Sequence, residues 1–442
     1  MKCLIIAAGQ GIRIQSKGDV KPLVPLLGVP LIERVIRSAM EGGADEFYVI
    51  TGYEGEKVSC FLQQLAKRLK VSITPIQNDD WKKENGISVL KARGIIEESF
   101  LLLMADHLFD PAIIRSLQEQ PLKEDEVLLA VDTDNTNPLV DMEDVTKVRI
   151  KEGRILNIGK TINDWNAFDT GIFICTPAIF EALEQACKIN NDTTLSAGIR
   201  ILAEDNRAQS MQTNGFWIDI DDNNAFKKAE QALLDLTRGK HNDGPVSYWL
   251  NRPISIRLSR FLANFNVTPN HISLFSFGLS VIAAGLFAQG NYWLLALGGI
   301  IAQFASIIDG SDGEVGRLKY LSSDYGAWFD AVLDRYADAF LLFGLTWYVY
   351  GHNFSGWVLG TGFMAIIGSF MLSYTADKYD NLMKSRIHKG IRIGRDVRVF
   401  LIFCGAIFNQ AYLILMVIAV VMNLETIRRI VICRNDGSNI LC

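Results

Sequence analysis

The sequence predicts an α/β Rossmann-like domain followed by an all-α domain of six transmembrane helices. The chain has 442 residues, of which 49% are hydrophobic and 21% charged. Residues 1–270 hold 31 basic and 37 acidic side chains, against 13 and 12 over residues 271–442. The runs Leu274–Ile308 and Ala339–Ala376 contain no Lys, Arg, Asp or Glu. Since a spanning helix needs about 20 mostly apolar residues, both runs are long enough to cross a bilayer.

Net charge and cysteine usage exclude several classes of protein. The net charge of −5 gives no general basic surface, and residues 1–270 hold no aromatic and basic stripe of the kind that binds nucleic acid. The seven cysteines are never spaced as a C-x-x-C pair, which argues against a disulfide framework or a zinc site and favours a reducing compartment. The first apolar run leads into a glycine loop and lacks a signal-peptide cleavage site, so we expect the first domain to stay in the cytoplasm.

Strand and helix patterns alternate through the first 236 residues, as expected of an α/β sheet. Lys2–Ala8 reads as a buried strand that leads into a glycine-rich loop, and Leu31–Met40 reads as an amphipathic helix. Further strands are predicted at Glu46–Thr51, Val71–Pro75, Ser99–Met104, Glu126–Asp132, Thr170–Cys175 and Gly215–Ile220, with a hairpin across Thr146–Gly159 and a closing helix at Asn224–Leu236.

A polar segment rich in turn residues, Thr237–Pro245, separates the two halves of the chain. We therefore place the first domain at 1–236, a linker at 237–247 and a membrane domain at 248–442. The segment Tyr248–Phe265 mixes apolar side chains with three arginines, as does a helix that lies on anionic lipid headgroups. The alternative is an ordinary surface helix packed on the first domain.

Six membrane spans account for the remaining apolar segments. They are predicted at about 271–290, 291–308, 328–350, 355–375, 397–410 and 411–432. The loops after the second and fourth spans are rich in Lys and Arg, whereas the loops on the opposite face carry neither. By the positive-inside rule, both basic loops, the first domain and the C-terminal tail lie in the cytoplasm. The sequence thus predicts a multi-pass protein of the cell membrane whose reactive residues all face the cytoplasm.

The loop after the first strand has the composition of a phosphate-binding loop. Gly9 and Gly11 allow backbone N–H groups to approach phosphate oxygens, while Arg13 and Lys21 supply positive charge for a triphosphate. A bare G-x-G also occurs in plain strand-to-helix turns. The full pattern, however, resembles the A-A-G-x-G-x-R…K-P signature of the nucleotidyltransferases that activate sugar phosphates, choline phosphate and inositol phosphate. The resemblance covers about residues 1–235 and implies that Ala8 and these four residues bind the nucleotide, with Arg13 and Lys21 catalytic.

Two acidic segments of this domain match the metal-binding positions of the same family. Asp106 follows the strand Leu101–Met104, and Asp219 and Asp221 lie two residues apart on one face of a later strand. The resemblance implies that Asp106 and Asp221, with Asp219 as a further candidate, hold Mg²⁺ or Mn²⁺ against the α-phosphate. An acceptor phosphate would then attack that phosphorus and release pyrophosphate. A turn or helix cap is the alternative role for any single aspartate.

Two further residues of this domain are assigned by resemblance alone. Ser88 lies in a segment, Asn85–Ser88, similar to the base-reading segment of the cytidylyltransferase branch, which implies CTP as the nucleotide. Lys160 resembles the residue that contacts the activated phosphate. The alternative for both is ordinary solvated surface.

Four carboxylates in the membrane domain form the strongest pattern in the chain. Asp309, Asp312, Asp330 and Asp334 lie in or beside predicted spans, as two pairs three and four residues apart. Each costs about 2.5–3.5 kcal/mol on insertion scales, so the set needs partners. The nearby basic residues are few, namely Arg317, Lys319 and Arg335. Two helix ends that each present two carboxylates on one face can instead bind divalent metal and, through it, a diphosphate.

This spacing resembles the signature of the CDP-alcohol phosphotransferases, a family of six-helix membrane enzymes. It departs from the family only at Gly316, where Ala is usual, and the resemblance covers about residues 250–442. It implies that the four aspartates bind Mg²⁺ or Mn²⁺ and that Asp334 is also the general base on the acceptor hydroxyl. Gly313, Arg317 and Gly326 would hold the cytidine diphosphate. Asp338, one turn beyond Asp334, lies outside the signature and has no assigned role.

The basic segment Lys378–Arg398 follows the fourth predicted span. Arg386, Lys389, Arg392 and Arg395 are candidates for binding a phosphorylated acceptor. Positive-inside bias is the alternative explanation for part of this charge. A phosphate on the acceptor would fit inositol phosphate.

The two domains make chemical sense together if the product of the first is the substrate of the second. The whole chain resembles the family of bifunctional inositol-1-phosphate cytidylyltransferases and CDP-inositol:inositol-1-phosphate transferases. Inositol is implied by that resemblance and by no residue pattern. The resemblance also implies that CTP, a CDP-alcohol and a phosphorylated small alcohol are ligands. It further implies contact with membrane lipids and a homodimer. Two alternatives stay open. One is a phosphotransferase that uses CDP-diacylglycerol or another CDP-alcohol, with an N-terminal domain of different or lost activity, and the other is a non-catalytic nucleotide-binding membrane anchor.

Overall fold

The computed structural model describes residues 1–237, 244–376, 378–379 and 394–437, without the side chains of Asn190 and of residues after Cys433. The chain divides into two compact units, Met1–Ala232 and Leu233–Cys442, called below the N-terminal and C-terminal units. Residues 238–243 of the predicted linker lie outside the described residues.

A mixed sheet of nine strands forms the centre of the N-terminal unit. The strands of this unit are β1 (Lys2–Ala7), β2 (Pro25–Leu26), β3 (Val29–Pro30), β4 (Glu46–Thr51), β5 (Ser72–Gln77), β6 (Phe100–Met104), β7 (His107–Phe109), β8 (Val127–Asp132), β9 (Lys147–Lys151), β10 (Arg154–Gly159), β11 (Ala167–Cys175), β12 (Ala208–Thr213) and β13 (Trp217–Asp219). The sheet order is β5-β4-β1-β6-β11-β8-β12-β10-β9, while β2–β3 and β7–β13 form two small ribbons. Pairing is parallel from β5 to β6 and antiparallel where β11 meets β6 and β8.

Helices cover both faces of this sheet. They are α1 (Leu31–Glu41), α2 (Gly55–Leu69), α3 (Asn85–Leu90), α4 (Pro111–Gln118), α5 (Ala178–Asn190), α6 (Leu195–Glu204) and α7 (Asn223–Thr237). Successive side chains of β1 enter opposite cores: Cys3 and Ile5 pack into one apolar cluster and Leu4 into the other. Because a buried parallel strand presents apolar side chains to both faces, β1 reads as a continuous hydrophobic run.

The predicted strands and helices of the first domain are confirmed, although one strand is shorter than predicted. The structure also contains elements that were not predicted, among them β2, β3, β7 and the helices α2 to α6. The predicted strand Gly215–Ile220 shortens to β13, which pairs with β7 outside the main sheet. The strand β12 was not predicted, because its sequence Ala-Gln-Ser-Met-Gln-Thr lacks an apolar alternation. Parallel pairing with β8 stabilises this strand, although its own sequence does not predict one.

The described part of the C-terminal unit is helical. After a short π-helical turn at Ser247–Asn251 come α8 (Arg252–Ala263), α9 (Pro269–Ala288), α10 (Tyr292–Leu318), α11 (Asp324–His352), α12 (Gly356–Tyr374), α13 (Arg395–Ile407) and α14 (Ala411–Gly437). Four of these are long and apolar enough to cross a membrane: α9, α10, α12 and the part of α14 up to Cys433. The predicted count of six spans is not confirmed. The helix α11 carries several charges, and the 13 residues of α13 extend only about 20 Å.

The second predicted span, 291–308, is too short. The helix α10 continues for another ten residues to Leu318 and thereby carries both aspartates of the first signature pair inside one helix.

Candidate active sites

The loop after β1 lies beside a cavity of about 500 Å³ in the N-terminal unit. Gly11 has φ +65°, and a Cβ there would come within 2.4 Å of the Lys21 Cβ, so only glycine fits this position. Gly9 lines the cavity, and a Cβ there would meet no atom within 4 Å. The first glycine therefore leaves open space beside the cavity, and the second allows Lys21 to pack against the loop.

Lys21 joins two of the predicted metal ligands. Its Nζ lies 2.6 Å from Asp106 Oδ2 and 2.7 Å from Asp221 Oδ1. Although burial opposes the charged form, these two carboxylates hold the pKa of Lys21 well above its usual value. Burial likewise opposes ionisation of Asp106, but Lys21 and His107 hold the pKa of Asp106 well below its usual value. Both partners are therefore charged at neutral pH.

Arg13 and Lys160 meet at Asp144, a residue that the sequence analysis did not single out. Arg13 Nη1 lies 2.7 Å from Asp144 Oδ2, and Lys160 Nζ lies 2.5 Å from Asp144 Oδ1. The other terminal nitrogen of Arg13 lies 3.1 Å from Asp221 Oδ2. Lys160 has the largest effect on the carboxyl of Asp144 and, with smaller contributions that include Arg13, holds its pKa well below the usual value although burial opposes this. Two cations predicted to bind phosphate are thus placed together by one carboxylate.

Asp106, His107 and Asp219 form a cluster whose ligand atoms lie within 4.8 Å of one another. The antiparallel ribbon creates it, because Asp219 on β13 is directly opposite His107 on β7. Burial lowers the pKa of His107, but Asp219 and Asp106 outweigh it and raise that pKa to about 9. Burial raises the pKa of Asp219 to about 7. Nothing in the sequence beyond its place after Asp106 indicated His107.

The donor set of this cluster fits a hard divalent cation. Among the described residues, Asp219 Oδ1 is buried without a hydrogen-bond partner. A buried carboxylate oxygen that lacks a donor is costly, and a cation at the cluster would satisfy it.

The remaining predicted residues of the N-terminal unit also gather at the cavity. Its walls include Ala8, Gly9, Arg13, Ser88, Asp106, Lys160, Asp219 and Asp221. The Ser88 hydroxyl is buried and accepts a hydrogen bond of 3.0 Å from Asn78 Nδ2. Asp169 also lines the cavity, and burial raises its pKa to about 6.

The signature aspartates of the C-terminal unit come from α10 and α11. The ligand atoms of Asp309, Asp330 and Asp334 lie within 4.8 Å of one another. Two buried serines of α9 hold the α10 carboxylates: Ser276 Oγ donates to Asp309 Oδ1 at 2.7 Å, and Ser273 Oγ donates to Asp312 Oδ2 at 2.6 Å. Such donors orient a carboxylate and fix which lone pairs face a metal.

The expectation that few cations lie near these carboxylates was wrong. Arg395 Nη1 lies 2.5 Å from both Asp309 Oδ2 and Asp334 Oδ1, and it reaches them from a helix 86 residues farther along the chain than Asp309. Of the three residues near in sequence, Arg335 lies 3.8 Å from Asp334 Oδ2.

This set also fits a divalent cation. Asp330 Oδ1 is buried and has no hydrogen-bond partner among the residues that the structure describes. Three carboxylates face one guanidinium, which leaves oxygen donors of the kind that Mg²⁺ and Mn²⁺ prefer.

The residues expected to hold cytidine diphosphate lie next to these aspartates. Gly313 and Arg317 are one turn apart on α10, and Gly326 lies in the first turn of α11, where its N–H donates to Ser323 Oγ at 3.0 Å. Arg317 Nη2 also donates to the Thr237 carbonyl at 3.4 Å. Arg386, Lys389 and Arg392, predicted to bind the acceptor, lie outside the described residues, whereas Arg395 is described.

Between Gly313 and Arg317, the fully buried Glu314 ties α10 to α8. Its Oε1 accepts from Arg252 Nη1 at 2.6 Å and from Ser255 Oγ at 2.7 Å, and its Oε2 accepts from Ser259 Oγ at 2.6 Å. All three donors belong to α8, so the amphipathic segment predicted from sequence is anchored at the signature itself.

Comparisons with known proteins match each half of the chain to a different family model. Residues 3–188 match the model of the MobA-like NTP transferase domain, and residues 266–425 match that of the CDP-alcohol phosphatidyltransferases. The "Bifunctional IPC transferase and DIPP synthase" of Rubrobacter xylanophilus is 33% identical over 98% of this chain and 97% of its own length. The chain belongs to this family.

Another member, from Aquifex aeolicus, is 31% identical over 99% of both chains. Among solved structures, the inositol-1-phosphate CTP transferase from T. maritima is 25% identical, covering 52% of this chain and 93% of its own, with a TM-score of 0.47. Family membership confirms the predicted combination: this is a bifunctional enzyme with a nucleotidyltransferase domain followed by a CDP-alcohol phosphotransferase domain.

Proposed function

We propose that the enzyme catalyses two consecutive reactions. The N-terminal unit converts CTP and inositol 1-phosphate into CDP-inositol and pyrophosphate. The C-terminal unit then transfers phospho-inositol from CDP-inositol to a second inositol 1-phosphate, which yields a phosphorylated di-inositol phosphate and CMP. The observation that carries this proposal is that each unit gathers its own acidic cluster against a cation, Asp106 and Asp219 beside Lys21 in one and three signature aspartates beside Arg395 in the other.

In the N-terminal unit, the residues around the cavity can bind and orient two phosphates. Lys160 provides a positive charge for the phosphate of the attacking alcohol, and Arg13, which contacts the same Asp144, provides one for the triphosphate. Lys21 and the glycine loop would bind the triphosphate, and Ser88, which lines the cavity, would contact the base. In-line attack on the α-phosphorus requires this positioning more than any covalent chemistry by the protein.

In the C-terminal unit, Asp334 takes the proton of the acceptor hydroxyl as that oxygen attacks the β-phosphorus of the CDP-alcohol. The contact with Arg395 keeps the Asp334 carboxylate oriented within the cluster. Gly313, Arg317 and Gly326 hold the departing CMP moiety, and Arg395, which contacts Asp334, would bind a phosphate on the acceptor.

We propose Mg²⁺ or Mn²⁺ for both clusters. Asp106 and Asp219, with Asp221, would hold the ion of the N-terminal unit, and Asp309, Asp312, Asp330 and Asp334 those of the C-terminal unit. When bound, such ions neutralise phosphate charge and make the phosphorus more electrophilic.

The arrangement in the membrane is part of the proposal. We assign six spans, with α11 and α13 completing the four helices that qualify by length and composition, and α8 lying at the lipid interface. Trp249 and Phe261, which are 78% and 60% exposed, support that interfacial position for the segment. Both sites and the basic segment then face the cytoplasm, the domain boundaries follow 1–236 and 248–442, and the enzyme forms a homodimer.

Mass spectrometry of the products tests the two steps. Detergent-purified protein receives CTP, Mg²⁺ and inositol 1-phosphate, beside Asp334→Ala and, as a matched control, Asp324→Asn, which removes an exposed carboxylate from the same helix. We expect wild type and the control to form the phosphorylated inositol dimer and CMP, whereas Asp334→Ala accumulates CDP-inositol. If no CDP-inositol forms with any protein, inositol is the wrong alcohol. If the wild type instead uses CDP-diacylglycerol as donor, the lipid-synthesis alternative is correct.

A further inference from the structure

Asp338 lies outside the phosphotransferase signature, yet it is among the most completely buried charges of the C-terminal unit. Its side chain is 4% exposed and contacts two arginines of α13. Arg395 Nε lies 3.3 Å from Asp338 Oδ1, and Arg398 Nη2 lies 2.6 Å from Asp338 Oδ2. One carboxylate therefore joins both arginines through separate oxygens.

Helix periodicity aligns these groups. Asp334 and Asp338 are four residues apart on α11, and Arg395 and Arg398 are three apart on α13, so each pair lies on one helix face. The inner pair, Asp334 and Arg395, is in the candidate active site, and the outer pair, Asp338 and Arg398, is directly behind it.

Arg398 is itself fixed from a third helix. Its Nη1 donates to the Ser369 carbonyl at 3.3 Å, and its Nη2 donates to Ser373 Oγ at 3.1 Å, both on α12. With 3% exposure, Arg398 has no access to a soluble ligand. Its role must be exerted through Asp338.

The geometry leaves one edge of Arg395 available. Its Nε is engaged by Asp338, and its Nη1 contacts Asp309 and Asp334, whereas Nη2 makes no hydrogen bond to any residue that the structure describes. Because a guanidinium is planar, fixing Nε and Nη1 also fixes the direction of Nη2. The side chain is 15% exposed, and Nη2 is the nitrogen that is left to donate to an incoming anion.

We infer that Asp338 and Arg398 are positioning residues that set the orientation of Arg395 and thereby the enzyme's preference for an acceptor that carries a phosphate. This inference rests on the proposed function, since it takes the phosphotransfer acceptor to be phosphorylated. Without Asp338, Arg395 keeps its contacts to the metal-site carboxylates but loses the contact that directs its free edge. The acceptor phosphate then loses a well-aligned charge-assisted hydrogen bond, while the CDP-alcohol keeps all of its contacts.

The test measures CMP release by the full-length enzyme in detergent, with supplied CDP-inositol as donor and either inositol 1-phosphate or inositol as acceptor. For Asp338→Asn we expect KM for inositol 1-phosphate to rise about 10- to 100-fold, the range of one lost charged hydrogen bond, with KM for CDP-inositol within about twofold of wild type. The preference for the phosphorylated over the unphosphorylated acceptor should fall by the same factor. Glu425→Gln is the matched control, because Glu425 also bridges two arginines, Arg428 and Arg429, and contacts none of the residues above.

A second variant distinguishes a positioning effect from misfolding of Asp338→Asn. Ser373→Ala removes a single contact of Arg398 and should shift the acceptor preference in the same direction by a smaller factor. CTP-dependent formation of CDP-inositol by the same preparations reports that the chain is intact. A purely structural role for Asp338 predicts equal losses with both acceptors and a changed KM for the donor, and that result overturns the inference, as does an unchanged preference in both variants. If the wild type itself does not prefer inositol 1-phosphate, the proposed acceptor and this inference both fail, whereas a wild-type preference that Asp338→Asn retains defeats the inference alone.

Discussion

Replacing Glu314 by Gln should release α8 from α10 without creating a cavity. The glutamate is fully buried, and its three hydrogen bonds all come from α8. Gln keeps the volume but loses the charge that faces Arg252, whose side chain is 12% exposed. Removing one partner of a buried ion pair costs about 3–5 kcal/mol, and Gln retains part of the hydrogen bonding, so we expect about 3 kcal/mol. That energy corresponds to a shift of about 100-fold in the opening equilibrium of α8.

Native-state proteolysis measures this opening directly. Trypsin can cleave α8 after Arg257 once the helix detaches, and mass spectrometry of that peptide separates the event from cleavage elsewhere. When opening is fast relative to cleavage, the rate follows the opening equilibrium, so Glu314→Gln should be cut about 100-fold faster than wild type. Ser255→Ala, which removes one hydrogen bond, should be cut about fivefold faster. A double-mutant cycle with Arg252→Met should give a coupling energy of at least about 2 kcal/mol. A coupling below about 0.5 kcal/mol would show that the pair does not hold α8, and the reasoning would fail.

Three further outcomes follow from the two sites. Gly11→Ala should abolish CDP-alcohol formation, because Gly11 has φ +65° and no space for a Cβ. Gly9→Ala should fold normally and chiefly raise KM for CTP, because a Cβ there meets open space. Phosphotransfer from supplied CDP-inositol checks that both variant proteins are intact. Ser276→Ala removes the donor to a signature aspartate, so it should lower phosphotransfer about 10- to 100-fold and raise the Mg²⁺ concentration that the enzyme needs. Ser280→Ala, which removes a hydroxyl that donates to a helix carbonyl, should match wild type. Burial raises the pKa of Asp169 to about 6 from 3.8, so ionisation of Asp169 destabilises the fold as pH rises between these values. Asp169→Asn should therefore raise the free energy of opening of β11 at pH 8 by up to about 3 kcal/mol, which is measured as slower amide exchange. Equal exchange rates at pH 8 would contradict this prediction.

Local pattern was sufficient to predict the elements that carry the chemistry. The strand ending before Gly9 and the helices bearing the signature aspartates were recognised because their apolar periodicity and their spacing are properties of short segments. Gly9 and Asp106 line one cavity, because the carboxyl ends of the neighbouring parallel strands β1 and β6 meet at the same sheet edge.

Partners brought from distant segments could not be predicted in this way. Arg395 was assigned to the acceptor, but its contact with Asp309 depends on how α13 packs against α10, which no spacing encodes. His107 was missed for a similar reason, since its proximity to Asp219 arises from the pairing register of two three-residue strands. Buried charges in a folded chain are compensated by tertiary contacts. The number of cations near a carboxylate in the sequence therefore underestimates the number that contact it in the structure.

The two units reduce the repulsion among their clustered carboxylates in different ways. Each assembles carboxylates that repel one another, and in each a basic side chain contacts two predicted metal ligands: Lys21 in the N-terminal unit and Arg395 in the C-terminal unit. Such a cation lowers the repulsion but competes with a divalent metal for the same oxygens. Lys21 is a point charge on a flexible stem and can move onto a phosphate as the metal takes its place. Arg395 is held from behind by Asp338, so it must stay beside the metal site and act there. The C-terminal site should therefore tolerate loss of its cation less well, and Arg395→Lys should impair phosphotransfer although the charge is kept.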